Sequence, residues 1–220
     1  MMGARQIAVF LGPAMVATWA MLLSAPVPSA SAQPCPDVEV VFARGTGEPP
    51  GVGYIGQAFV DALRSQVGGR SVGVYAVNYP ATNDYSNSAS AGANDASAHV
   101  QYMVANCPNT RMVLGGYSQG AVVIDVITSA GVPLPFGLVP APMPPKVADH
   151  VAAVAVFGNN SSKGPGGPLT AISPLYGAKA VDLCNPGDPI CSDGGDMSAH
   201  SQYVQSGMAR QAATFAASRL

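Results

Sequence analysis

The sequence predicts an α/β fold, a parallel β-sheet flanked by crossover helices. Two observations carry this. Short β-branched runs alternate along the chain with longer stretches of helical period, and one such run, "RMVLGGY", turns directly into the helical segment "QGAVVIDVITSA". Length bounds the prediction: 220 residues fit one domain, and the chain is apolar enough to bury a substantial core.

The chain opens with "MMGARQIAVFLGPAMVATWAMLLSAPVPSASA". Arg5 precedes an apolar stretch from Ile7 to Leu23, and the small residues Ala30, Ser31 and Ala32 follow. This is the order of a secretory signal peptide, so residues 1–32 are expected to be removed and 33–220 to form the mature domain. A membrane anchor is the competing reading; the Gly12-Pro13 interruption and the small-residue exit argue against it.

Strands are expected at Val38–Ala43, Ser71–Val77, Arg111–Gly116, Val151–Phe157 and Ala178–Leu183, with helices at Gly53–Val67 and Gln119–Ser129. Before Cys107, the residues Ala96, Val100, Met103 and Val104 recur at helical spacing and predict one buried stripe. Val204, Met208, Ala212 and Phe215 predict another at the C-terminus. The segment "GVPLPFGLVPAPMPP", Gly131 to Pro145, is a loop, because its prolines remove backbone donors. The helix before it returns the chain to the amino ends of the strands, so this loop is expected to begin opposite Ser118 and to stay out of the site.

Charged residues make up 10% of the chain and the formal net charge is −2, which leaves no basic surface for nucleic acid or anionic headgroups. All four cysteines, Cys35, Cys107, Cys184 and Cys191, follow the signal segment. In an exported chain an even count suggests disulfides, with three pairings open. Cys184 and Cys191 are near enough to close a small loop, which would leave Cys35 to tie the N-terminus to Cys107. A zinc site has neither a C-x-x-C nor a histidine pair to support it. No metal and no cofactor is expected.

The stretch "GGYSQG" places Ser118 between Gly116 and Gly120 at the strand-to-helix corner. Gly-x-Ser-x-Gly alone is a weak signal in a chain with 25 glycines, but at such a corner the backbone bends sharply and pushes the hydroxyl outward. The helix amino end supplies free N–H groups there. A plain serine N-cap is the alternative. A serine nucleophile needs a base, and a histidine base needs a carboxylate to fix its tautomer.

Three histidines exist. His99 precedes the serine, lies off the apolar stripe of its helix and reads as solvated. His150 sits at the amino end of a strand, on the far side of the sheet. His200 follows late enough for the order serine, acid, histidine. No glutamate occurs after Glu48, so the acid is an aspartate. Asp125 belongs to the helix after the serine, Asp149 to the wrong edge and Asp182 to the last strand. Asp188, in "CNPGDPIC", lies just past that strand, with Asp193 and Asp196 as competitors that also read as turn formers. For an oxyanion, the Gln119 N–H is one donor. In a sheet of order 2-1-3-4-5 the loop after the first strand, "ARGTGEPPG", offers Thr46 as the other. "RGTG" lacks the lysine and spacing of a phosphate cradle.

Together "VFARGTGEPPGVG", "CPNTRMVLGGYSQGA", "LCNPGDPIC" and the histidine of "AHSQYV" resemble the cutinase family, in particular the secreted cutinase-like esterases of actinobacteria. The resemblance implies a small α/β-hydrolase with a five-stranded parallel sheet and no large lid. It implies Ser118 as nucleophile, Asp188 as acid, His200 as base, and Thr46 with Gln119 as oxyanion hole. It also implies bridges Cys35 to Cys107 and Cys184 to Cys191. The Pro-rich loop is where the chain departs from the family pattern.

The expected function is a secreted, monomeric serine esterase acting on cutin-like polyesters or on short- to medium-chain acyl esters, at a lipid or polymer surface or at the cell wall. Loops 78–91, 158–177 and 191–200 should rim a shallow, open cleft. Polysaccharide deacetylation of the acetylxylan type, and a binding protein with a vestigial site, are the alternatives.

Overall fold

The computed structural model describes residues 34–220; the expected signal segment and its cleavage site lie outside the described residues. The elements run β1 (Val38–Ala43), α1 (Gly53–Arg64), β2 (Val72–Ala76), α2 (Tyr85–Asn106), β3 (Arg111–Tyr117), α3 (Gln119–Thr128), α4 (Pro145–Ala148), β4 (Val151–Phe157), α5 (Leu169–Ile172), β5 (Ala180–Leu183) and α6 (Met208–Ala217). The five strands form one parallel sheet in the predicted order β2-β1-β3-β4-β5.

Strands β1 and β4 are buried along their whole length, as strands covered on both faces must be. Their side chains alternate between two cores. Val38, Val40 and Phe42 point to the face covered by α1 and α6, while Val41 and Ala43 point to the face covered by α2 and α3. On the first face Phe42, Phe59 and Phe157 pack with ring centroids 6.1 to 6.3 Å apart. Burying each such ring contributes about 1.5–3 kcal/mol.

The stripe of α2 is buried at Ala96, Val100 and Met103, whereas Val104 packs only partly. Helix α6 corrects the sequence reading: its inward face is Ala209, Ala212, Ala213 and Ala216. Met208 and Phe215 sit at the margin, where the Arg219 guanidinium covers the Phe215 ring at 3.6 Å. Alanine lets α6 lie close to α1, and the larger apolar residues seal the edges.

His99 is also corrected. Its ring stacks on Tyr75 at 3.5 Å, and its Nε2 stands 3.2 Å from Glu39 Oε1, so it is a packed residue between α2 and the sheet.

The Pro-rich loop follows α3, but its middle does not stay at the amino edge. Phe136, with φ +62°, carries its ring onto Tyr85 at the amino end of α2, with centroids 4.6 Å apart. Pro133 and Pro135 share a cleft with Asn160 and Pro165 in the segment leaving β4. Leu134, Leu138 and Met143 are buried and pin the loop to the core. Its return leg bonds α3, with Ala141 N–H to Val126 O at 2.7 Å and Met143 N–H to Ile127 O at 3.0 Å. The loop begins opposite Ser118 as expected, at the far end of α3, but its buried apolar side chains fold its middle back toward the amino end of α2. Two disulfides, Cys35–Cys107 and Cys184–Cys191, complete the frame.

Candidate active site

Ser118 lies at the corner between β3 and α3 with φ 55° and ψ −117°, a conformation an L-residue adopts only where its surroundings force it. Two glycines permit the corner. A Cβ on Gly116 would stand 2.1 Å from Gly120 O, and one on Gly120 would stand 2.0 Å from Ala43 O. Helix α3 therefore starts in backbone contact with the ends of β1 and β3. The Ser118 N–H donates to Phe157 O at 2.9 Å, which fixes the corner to β4. The Ser118 side chain makes no cap hydrogen bond. Its Oγ stands 3.0 Å from His200 Nε2 instead, which sets aside the N-cap reading.

His200 is held in a short turn, Ala199–Ser201, and its Nδ1 stands 2.8 Å from Asp188 Oδ2. Asp188 is fully buried, in the turn that the Cys184–Cys191 bridge closes. Its Oδ1 accepts the Ile190 N–H at 2.8 Å. With the imidazole proton on Nδ1 facing the carboxylate, Nε2 presents its lone pair to the serine hydroxyl. This arrangement can receive a proton from Ser118 and stabilise the cation that results.

Four further residues hold these groups and escaped the sequence reading. Tyr117 O–H donates to the His200 carbonyl at 2.8 Å, its ring 5.0 Å from the imidazole. Asn185 Nδ2 donates to Ala199 O at 2.8 Å and ties the aspartate turn to the histidine turn. Gly158 backs the imidazole. Tyr203 O–H donates to Asp188 Oδ2 at 2.6 Å. The available signal was the tyrosines themselves: a tyrosine that packs into a core needs a partner for its hydroxyl.

Gln119, first residue of α3, has an N–H with no intrahelical acceptor. Its side chain is anchored by Ser88 Oγ, which donates to Oε1 at 2.9 Å, and by Thr82 O, which accepts from Nε2 at 2.8 Å. Thr46 lies half-exposed in the loop leaving β1. That loop is stiff. Gly47 N–H donates to Ala81 O at 2.8 Å, buried Arg44 donates to Tyr79 O at 2.8 Å, and the Glu48 carboxylate accepts from Gly45 and Tyr54 N–H.

The other candidates fall elsewhere. His150 precedes β4 at the amino edge, and its carbonyl accepts from Met112 N–H. Asp193 is exposed, and Asp196 caps its own turn through Ser198. Asp125 is buried, Asp182 is partly buried, and the two share the Asn159 amide. Among the described residues no cluster of His, Cys, Asp or Glu could hold a metal ion. Tyr54, Tyr85 and Met197, on segments leaving the carboxyl edge of the sheet, and Phe136, stacked on Tyr85, are exposed apolar side chains.

Comparison with known proteins agrees with this architecture. The family model described as Cutinase matches residues 34–220. Carboxylesterase Culp1 of Mycobacterium tuberculosis is 60% identical over 213 residues, spanning 94% of this chain and 93% of that protein. Phospholipase Culp4 of the same organism is 54% identical over 217 residues, spanning 99% and 93%. Of solved structures, the catalytic core domain of acetyl xylan esterase from Trichoderma reesei superposes with a TM-score of 0.73 at 26% identity, covering 85% of this chain and 100% of that one. A Trichoderma reesei cutinase in complex with a phosphonate inhibitor gives 0.64 at 32%, covering 83% and 76%.

Proposed function

The chain belongs to the cutinase family and is a carboxylic ester hydrolase, and from that premise we propose that it is a secreted serine esterase working through Ser118, His200 and Asp188. One observation carries the reading: Ser118, on its strained corner, stands 3.0 Å from His200 Nε2 while His200 Nδ1 stands 2.8 Å from a fully buried carboxylate.

In this reading Ser118 Oγ attacks the ester carbonyl as its proton passes to His200 Nε2. The carbonyl oxygen takes the developing negative charge, which the N–H groups of Gln119 and Thr46 receive. Collapse breaks the carbonyl carbon to alkoxy oxygen bond, and His200 returns the proton to the leaving alcohol. Water repeats the sequence on the acyl-enzyme and releases the acid.

The substrates proposed are short- to medium-chain acyl esters, including polyesters, met by a monomer at a lipid or polymer surface. Exposed Tyr54, Tyr85, Phe136 and Met197 support that setting, as does the lipid chemistry named for the phospholipase relative. Two disulfides and the signal-like residues 1–32 support export. A second reading, deacetylation of plant polysaccharide, draws on the superposition with the acetyl xylan esterase core.

A serine-directed phosphonate should label the folded chain and fail to label Ser118→Ala. Absence of labelling in the native chain favours a non-catalytic binding protein. Rates on p-nitrophenyl esters of graded length, set beside acetate release from acetylated xylan, separate the two enzymatic readings.

A further inference from the structure

Deepening the reading just given, and resting on it, we infer that Tyr203 is a positioning residue: its hydroxyl shares one oxygen of Asp188 with His200, and so sets both the aim of the carboxylate and the charge it offers the imidazole.

The argument starts from the solvation of Asp188. A buried carboxylate must replace lost water with hydrogen bonds or a paired cation. Among the described residues its one ion-pair partner is His200. With that contact included, three donors meet the carboxylate unequally: Ile190 N–H on Oδ1 at 2.8 Å, and both His200 Nδ1 at 2.8 Å and Tyr203 O–H at 2.6 Å on Oδ2. Oδ2 is thus gripped from two sides, and it is the oxygen that faces the imidazole.

Tyr203 is built to stay there. Its side chain is fully buried, edge-on to Phe157 at 5.8 Å and to Tyr117 at 6.0 Å. Its oxygen accepts the Asn185 N–H at 3.2 Å, so the hydroxyl proton is left to point at the carboxylate. Burial, reinforced by the bond to Asp188, lifts the phenol far above its ordinary range, and the group remains a donor throughout the working pH range. A donor on Oδ2 also draws electron density from that oxygen, leaving less for the imidazolium that forms as Ser118 attacks.

Two substitutions in the full-length chain then move the enzyme in opposite directions. Tyr203→Phe keeps the ring and deletes the donor. It should lower kcat/KM by about tenfold or more, the scale of a lost hydrogen bond to a charged group. It should also shift the acid limb of the kcat/KM profile to higher pH, because the freed carboxylate holds the imidazolium more tightly. Site-specific 3-fluorotyrosine at 203 keeps ring and hydroxyl but makes a stronger donor, and should shift that limb to lower pH. A packing role for Tyr203 moves melting temperature without this pair of opposite shifts.

An unshifted limb in the fluorotyrosine protein overturns the inference, and so does a Tyr203→Phe protein that folds and keeps both rate and profile. If Tyr203→Phe does not fold, the fluorotyrosine protein alone decides. Asp188→Asn and Ser118→Ala run alongside. Retained turnover in either overturns the triad reading itself, whereas their inactivity with unshifted Tyr203 variants overturns only the role of Tyr203.

Discussion

Gly158 lies against the His200 imidazole: a Cβ built on it would stand 2.7 Å from Cε1 and 2.9 Å from Nδ1. The same residue has φ +57°, and its N–H donates to Leu183 O at 2.9 Å, so its backbone cannot relax away from the ring. Gly158→Ala therefore meets two penalties. The backbone conformation should cost about 1–2 kcal/mol in urea unfolding. Displacement of the ring should lower ester turnover about a hundredfold, as a misplacement near 1 Å does at a reacting centre. Turnover equal to the parent chain would show that the ring has room the geometry denies it.

Asp125 predicts how stability varies with pH. It is fully buried in α3, and burial, with a smaller contribution from nearby Asp182, pushes its carboxyl up to about 8 from an ordinary 3.8. Below 3.8 the folded and unfolded chains both carry this proton. Between 3.8 and about 8 the folded chain keeps a proton that the unfolded chain has lost, so stability falls as pH rises through that window and levels above it. Asp125→Asn keeps an acceptor for the Asn159 amide, 3.3 Å away in the native chain, and removes the titration. Urea midpoints from pH 4.5 to 9 should then decline less steeply than in the parent. A residual slope remains, because burial also raises Asp182.

The two disulfides should separate stability from turnover. Cys35–Cys107 spans a separation of 72 residues and Cys184–Cys191 one of 7. Loop-closure entropy then assigns about 4 kcal/mol to the long bridge and about 2.5 kcal/mol to the short one. The short bridge, however, closes the turn that holds Asp188 beneath His200. Replacing Cys35 and Cys107 by serine should lower the melting temperature more, with kcat kept below the transition. Replacing Cys184 and Cys191 should lower it less and reduce kcat at least tenfold. Equal kcat in the two variants would remove the bridge from the aspartate's support.

Much of this was legible because the strong signals are local. The bounds of β4 follow from an unbroken apolar run and those of β1 from one interrupted only by Glu39, and the corner at Ser118 follows from glycines that leave no room for a Cβ. Where small residues do the packing, periodicity misleads. In α6 the eye follows Met208 and Phe215, while the buried face is alanine. Strand β5 begins at Ala180 because 177–179 form a tight turn that the apolar pattern runs through. Tyr203, Asn185 and Gly158 support the site through contacts between separate turns, and no window of sequence shows those. The same holds for the Pro-rich loop: its prolines announce a loop, but only the burial of Leu134, Leu138 and Met143 decides where that loop goes.

That loop supplies the last prediction. Phe136 is 40% exposed and stacks on Tyr85, and Tyr85 starts the helix whose Ser88 hydroxyl bonds the Gln119 side chain. We take these paired rings as the wall that an acyl chain of several carbons reaches and an acetyl group does not. Phe136→Ala should therefore leave kcat/KM for an acetyl ester within about twofold and lower it for an octanoyl ester about tenfold, the scale on which an apolar pocket discriminates. The stack is at the surface, so the melting temperature should hold to within a few degrees. The quantity to measure is the ratio of kcat/KM on p-nitrophenyl octanoate to that on the acetate. A ratio unchanged by the substitution would show that the acyl chain does not reach the paired rings, and the Pro-rich loop would then have no part in choosing the substrate.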